Sequence, residues 1–266
     1  MNSLALWAAL LCWSAESQTV PDELSPDTES KFEKFEFQIP MRDGVSLYTA
    51  VYVPNEASER YPILLYRTRY GVGHYGANDY APLRDLAWPG FTGRPYIFVW
   101  QDVRGSFLSE GKFVDMTPHV MRKRGPDVDQ STDTYDTIDW LVKNVPRNNG
   151  RVGLWGISYD GFFTAAGMID AHPALVAASP QAPQADWFGG DDLHLHGALV
   201  LDGFEYFSAW GRPRREASTE PPRPIDRNPQ TFVDIYHATE ADFRKATQRV
   251  YRSTTVGSFL EVNVVR

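Results

Sequence analysis

The sequence predicts an α/β fold, a mostly parallel sheet with flanking helices, on three observations. Short apolar runs of strand length recur at residues 63–66, 96–100, 151–155 and 175–178. Stretches of helical patterning, at 133–145 and 161–171, lie among them. Clusters of Gly, Pro, Asn and Asp punctuate the boundaries, as they do where strand and helix alternate.

Taken in order, residues 1–17 read as a secretory signal. The apolar run 4–13 is too short to span a bilayer and is followed by Ser14, Ala15 and Ser17, with cleavage expected near Ser17. No Lys or Arg precedes the run, so a buried or membrane-tethering segment is the alternative. The single cysteine, Cys12, lies inside it, and a processed chain would carry no thiol and no disulfide. Export without cysteines fits a periplasmic or secreted protein. Residues 18–32 are acidic, polar and Pro-containing, and read as a flexible arm. Residues 35–39 and 45–53 then flank Asp43-Gly44, a pair suited to the positive-φ turn of a hairpin.

The runs 63–66 and 96–100 have the length and composition of buried parallel strands, with a helix expected between them at 79–88. Residues 133–145 place Tyr135, Ile138, Leu141 and Val142 on one helical stripe. That helix has Asp133 and Asp136 in an acidic first turn and is closed by Pro146. A strand at 151–155, a Gly- and Ala-rich helix at 161–171 and a strand at 175–178 follow. After residue 198 the pattern changes: 211–230 is crowded with Pro and Arg, and 231–247 is an amphipathic helix candidate. The chain stops at Arg266 within the apolar run 259–265, an ending that looks cut.

Composition narrows the function classes. The 266 residues are 42% hydrophobic and 14% aromatic with 19 prolines, which suits a globular protein with long loops and a ring-lined pocket. A net charge of −8 argues against nucleic-acid or anionic-membrane partners, which need a basic face.

The chemistry concentrates at Gly156-Ile157-Ser158-Tyr159-Asp160-Gly161, between the strand at 151–155 and the helix at 161–171. A serine hydroxyl is a poor nucleophile unless a base and an oxyanion hole both reach it, and a sharp strand-to-helix turn projects it where they can. The run departs from the generic GxSxG of the α/β-hydrolase elbow, because Asp160 stands where the second glycine is expected and Gly161 comes one later. A tight structural turn with an incidental serine is the competing reading. Asp102 and Arg104 read as a structural Asp–Arg pair tying loops near the site, and Asp139 as a solvated or capping carboxylate. His194 and His196 lack a third ligand at recognisable spacing, so no metal site is expected.

The elbow resembles the GxSYxG motif of the group containing cocaine esterases, α-amino acid ester hydrolases, glutaryl-cephalosporin acylases and X-prolyl dipeptidyl peptidases. Met41-Arg42-Asp43-Gly44-Val45, Arg67-Thr68-Arg69-Tyr70, residues 101–105 with Ser109-Glu110-Gly111, and residues 136–141 resemble that group's motifs in the same order. The resemblance covers roughly residues 35–200. It implies an α/β-hydrolase fold, here incomplete, with 33–200 as the N-terminal part of the hydrolase domain and 201–266 as the start of a helical cap. It implies that Ser158 is the nucleophile, that the Tyr159 N–H and the Tyr70 hydroxyl are the oxyanion donors, and that no cofactor is needed. Asp192, in the run 186–192, falls where α-amino ester hydrolases place a carboxylate that holds the substrate's ammonium. The expected reaction is cleavage of an ester or amide acyl bond through an acyl-enzyme. α-Amino acyl substrates rank first, a generic ester second and an X-prolyl dipeptide third; the partner is a small ester, amide or short peptide, with homo-oligomers open. The group's acid and base lie well past the serine, and none of His172, His194, His196 and His237 resembles that base. A truncated non-catalytic or binding domain is therefore the alternative.

Overall fold

In the computed structural model the described residues are 28–82, 96–184, 194–195, 198–199 and 216–221. They form helix α1 (Thr28–Lys31), strands β1 (Phe32–Pro40), β2 (Ser46–Pro54), β3 (Tyr61–Thr68) and β4 (Ile97–Asp102), helix α2 (Gln130–Asn144), strand β5 (Asn148–Ile157), helix α3 (Tyr159–Gly167) and strand β6 (Leu175–Gln181). Two short strands, β7 (His194–Leu195) and β8 (Ala198–Leu199), pair with each other.

The main sheet has the order β1-β2-β4-β3-β5-β6. β1 and β2 form the expected hairpin, antiparallel in register from Phe32 opposite Pro54 to Pro40 opposite Ser46. Gly44, at φ 86°, takes the left-handed conformation of the turn. β2 joins β4 antiparallel, and from there β4, β3, β5 and β6 run parallel. The fold is the expected α/β one, a mostly parallel sheet with flanking helices.

The twofold alternation of the strands divides the core. Ile63, Leu65, Ile97, Val99, Val152 and Leu154 point to the face covered by Ile138, Leu141 and Val145. Leu64, Phe98, Trp155, Tyr48 and Tyr52 point to the other, where Val72 and Ala81 of the segment after β3 cover them. That segment is tied down by Lys34 on β1. Its buried Nζ donates to the carbonyls of His74, Gly76 and Asp79 and pairs with Glu36 at 2.8 Å.

Several expectations need correction. Residues 79–82 are irregular rather than helical, which suits the approach to Pro82, and the rest of the helix expected at 79–88 lies outside the described residues. The arm is not wholly flexible, since Thr28–Lys31 is a helical turn whose Lys31 carbonyl accepts from Asn55 N–H. α2 starts three residues before the expected Asp133, because Asp129 caps it: its side chain accepts from Thr132 N–H while the Thr132 hydroxyl accepts from the cap N–H. Asp136 therefore falls beyond the first turn, where it pairs with Arg42 of the β1–β2 turn at 2.7 Å. The signal, Asp192 and the 231–247 helix candidate lie outside the described residues.

Candidate active site

Ser158 stands between the end of β5 and the start of α3 at φ 58°, ψ −122°. This conformation is costly for a residue bearing a Cβ, and here it turns β5 sharply into α3. Ser158 N–H donates to the Gln181 carbonyl of β6 at 3.0 Å, its carbonyl accepts from Phe162 N–H at 3.0 Å, and the residue is exposed. The turn thus delivers a hydroxyl at the carboxyl end of a parallel strand.

The two flanking glycines explain why the departure from GxSxG does no harm. A Cβ on Gly156 would lie 2.2 Å from the Asp160 carbonyl, and one on Gly161 would lie 2.4 Å from the Gln181 carbonyl. The second glycine is needed where α3 crosses β6. That crossing falls three residues after the serine, so position 160 is free to carry a side chain.

Tyr159 opens α3, and its backbone N–H lies in the first turn, where helix donors are directed outward from the end. Its side chain is fully buried. The phenol donates to Asp115 at 3.0 Å and accepts from Met116 N–H at 2.9 Å, and burial, with the Asp115 charge, pushes it well above the ordinary tyrosine range. Arg69 lies between the Phe113 and Tyr159 rings, 4.4 and 4.5 Å from their centroids, and pairs with Asp115 at 2.8 Å. Burial raises the Asp115 carboxyl even against that arginine. Asp115 and Phe113 are not singled out from sequence, and Arg69 only as one residue of the 67–70 motif. Their contacts join segments more than forty residues apart, which no local pattern reports.

Tyr70 follows the carboxyl end of β3, the hydrogen-bonded neighbour of β5. It is half-buried and packs against the cluster of Val103, Phe113, Tyr159 and Phe163. The topology therefore gathers Ser158, Tyr159 and Tyr70 at the carboxyl ends of two adjacent strands, where open α/β sheets bind their ligands.

Asp102 and Arg104 are structural, but they are not each other's partners. Asp102, wholly buried, accepts from Val72 N–H at 2.9 Å, Leu108 N–H at 3.3 Å and the Tyr75 hydroxyl at 3.1 Å, fastening the segments after β3 and β4. Arg104 instead bridges Asp43 of the hairpin turn and Asp133 of α2, each at 2.7 Å. Asp139 pairs with Lys143 at 2.6 Å, one helical turn on.

The three histidines with described side chains are each held elsewhere. His74 meets Asp79 at 2.9 Å beside β1, four strands from β5 or roughly 19 Å at sheet spacing. His119 lies between Asp129 and Asp170, at 3.3 and 3.5 Å. His172 pairs with Asp139 at 3.5 Å and packs on Tyr135, just ahead of β6 and so at the opposite end of the sheet from Ser158.

The family model for X-Pro dipeptidyl-peptidases (S15 family) matches residues 43–256. The chain is 33% identical over 171 residues to the cocaine esterase of Rhodococcus sp. (strain MB1 Bresler), covering 64% of this chain and 27% of that protein. Among solved structures it is similar to an α-amino acid ester hydrolase, at TM-score 0.68 and 36% identity over 86% of this chain and 38% of that one. It is also similar to an aminopeptidase from a marine-sediment Thaumarchaeota archaeon, at TM-score 0.70 and 30% identity over 93% of this chain and 40% of that one. The chain thus spans between about a quarter and two fifths of the length of these three relatives.

Proposed function

The chain belongs to the X-Pro dipeptidyl-peptidase (S15) family, and from that premise we propose that it supplies the nucleophile and oxyanion hole of a serine hydrolase cleaving an ester or amide acyl bond. The observation that carries this reading is the exposed Ser158 held at positive φ between β5 and α3. Ser158 Oγ attacks the acyl carbon and the leaving alcohol or amine departs, giving an acyl-enzyme that water then hydrolyses. The Tyr159 N–H and the Tyr70 hydroxyl hold the negative oxygen of the tetrahedral intermediate. A phenol can donate there because it keeps its proton at neutral pH.

The general base belongs to a histidine other than His74, which lies beside β1, and His119 and His172, which lie at the end of α3 far from Ser158. α-Amino acyl substrates rank first, with Asp192 as the carboxylate that holds their ammonium; the similarity to an α-amino acid ester hydrolase and to an aminopeptidase supports that order. Secretion to the periplasm or beyond is part of the same proposal and rests on residues 1–17.

The test is hydrolysis of a matched pair of aryl esters, one α-amino acyl and one simple acyl, by the chain and by Ser158→Ala. Weak turnover that prefers the amino acyl ester and is abolished in Ser158→Ala is expected, because no histidine with a described side chain reaches Ser158 to act as its base. Turnover that survives the substitution contradicts the assignment. A folded chain with no turnover on either ester favours the non-catalytic alternative, which the placement of the three histidines also suits.

A further inference from the structure

The buried Tyr159 side chain is held by three residues from outside α3. Its phenol is used twice, donating to Asp115 Oδ1 at 3.0 Å and accepting from Met116 N–H at 2.9 Å. With its one proton already given to Asp115, the hydroxyl is not a second oxyanion donor, and only the backbone N–H of Tyr159 can serve. The same Asp115 Oδ1 accepts from Arg69 Nη1 at 2.8 Å. Arg69 lies against the Tyr159 and Phe113 rings and 5.9 Å from the ring centroid of Tyr70, while its buried Nε and Nη2 form no hydrogen bond with the described residues. A cation buried with unmet donors is costly, and an apolar side chain would fill the same gap more cheaply if packing were its whole purpose. The loop that carries Phe113, Asp115 and Met116 is itself fixed. A Cβ on Gly105 would lie 2.0 Å from Phe113 N, so two backbones meet there, and Met116 takes φ 43°, a costly conformation, at the residue whose N–H meets the phenol.

On the other side of Tyr159, the Ser158 carbonyl accepts from Phe162 N–H at 3.0 Å. The peptide joining Ser158 to Tyr159 is planar. With its oxygen held by Phe162 and the ring on its following Cα held by Asp115, Met116 and Arg69, its N–H keeps one direction. We infer that Asp115 and Arg69 are positioning residues which, through the Tyr159 ring, hold the Ser158–Tyr159 peptide so that its N–H stays aimed at the acyl oxygen. The inference rests on the proposed hydrolase reading.

Two variants of the full chain test this. Tyr159→Phe removes the hydroxyl and keeps the ring, and Asp115→Ala removes the acceptor that the phenol and the guanidinium share. Ile138→Val, which loosens a separate core cluster, is the control. In the first two, exchange of the Ser158 and Phe162 amides should quicken about tenfold while that of the β5 amides stays unchanged. Turnover of the amino acyl aryl ester should lose about tenfold in kcat with KM within about threefold, the pattern of a transition-state donor out of place. Ile138→Val should alter neither reading. If Asp115→Ala does not fold, Tyr159→Phe decides alone. Unchanged exchange at Ser158 and Phe162 overturns the inference, as does quickened exchange with kcat intact or an equal loss of kcat in Ile138→Val. Quickened exchange in a chain that shows no Ser158-dependent turnover supports the hold on the peptide and overturns the hydrolase reading instead.

Discussion

Asp160, two residues past Ser158, is 2% exposed, and the cost of burying its carboxyl is measurable in stability. Burial raises it to about 7, opposed by the Tyr66 and Thr68 hydroxyls and by Arg69. A carboxyl whose folded value lies above its unfolded value binds its proton more tightly in the folded state. Its contribution to stability is complete below about pH 4 and is lost as pH rises through about 7. Melting temperature should therefore fall between pH 5 and 8 more steeply in the native chain than in Asp160→Asn, in thermal scans at the two pH values; parallel pH dependences would contradict this. The residue was legible in part. A charged side chain in an otherwise uncharged stretch from Val152 to Ala166 has to be buried or used, but nothing local says which partner it meets. Ser158 was legible because glycines on both sides bracket it, whereas the clamp of Phe113, Arg69 and Asp115 on Tyr159 depends on tertiary contacts alone.

At the scale of elements, the elbow depends on how closely α3 crosses its neighbours. A methyl on Gly161 meets the β6 backbone at 2.4 Å, and one on Gly167 meets the Thr134 hydroxyl of α2 at 2.6 Å. The first neighbour is backbone and cannot yield, while the second is a side chain that moves only by giving up its bonds to Arg67 and the Gln130 carbonyl. Gly161→Ala should cost about 3 kcal/mol and Gly167→Ala about 1 kcal/mol in urea unfolding; equal costs would show that the crossing at β6 is not the tight one. The positions of β3 and β4 were legible to within a few residues because parallel strands buried on both faces leave unbroken apolar runs. The start of α2 was not, because its cap is an Asp followed by Thr at the third helical position rather than the commoner Glu or Gln. The helix expected at 79–88 failed at 79–82, where hydrogen bonds from Lys34, on a distant strand, shape the backbone.

Across the whole molecule, charged side chains join parts that the apolar core does not. Arg104 ties the hairpin turn to α2 through Asp43 and Asp133, and the two carboxylates raise its guanidinium against the effect of burial. Arg67, fully buried, donates to Gln101, Gln130 and Thr134 and lies 4.0 Å from the same Asp133, and burial lowers it to about 10. Arg104→Ala should destabilise by about 3 kcal/mol in urea, because it leaves Asp133 buried with a distant partner, and Arg104→Lys should recover only part of that. A neutral Arg104→Ala would mean that the bridge contributes nothing. These links hold β3, β4 and α2 as one frame, and on that frame rests the central claim, that Ser158 is the nucleophile. Its most direct test is covalent labelling of the full chain with a fluorophosphonate, read by intact mass and by fragment assignment. The result expected is one adduct per chain, on Ser158, lost in Ser158→Ala and slowed in Tyr70→Phe. An adduct at another residue, or equal labelling of Ser158→Ala, would contradict it.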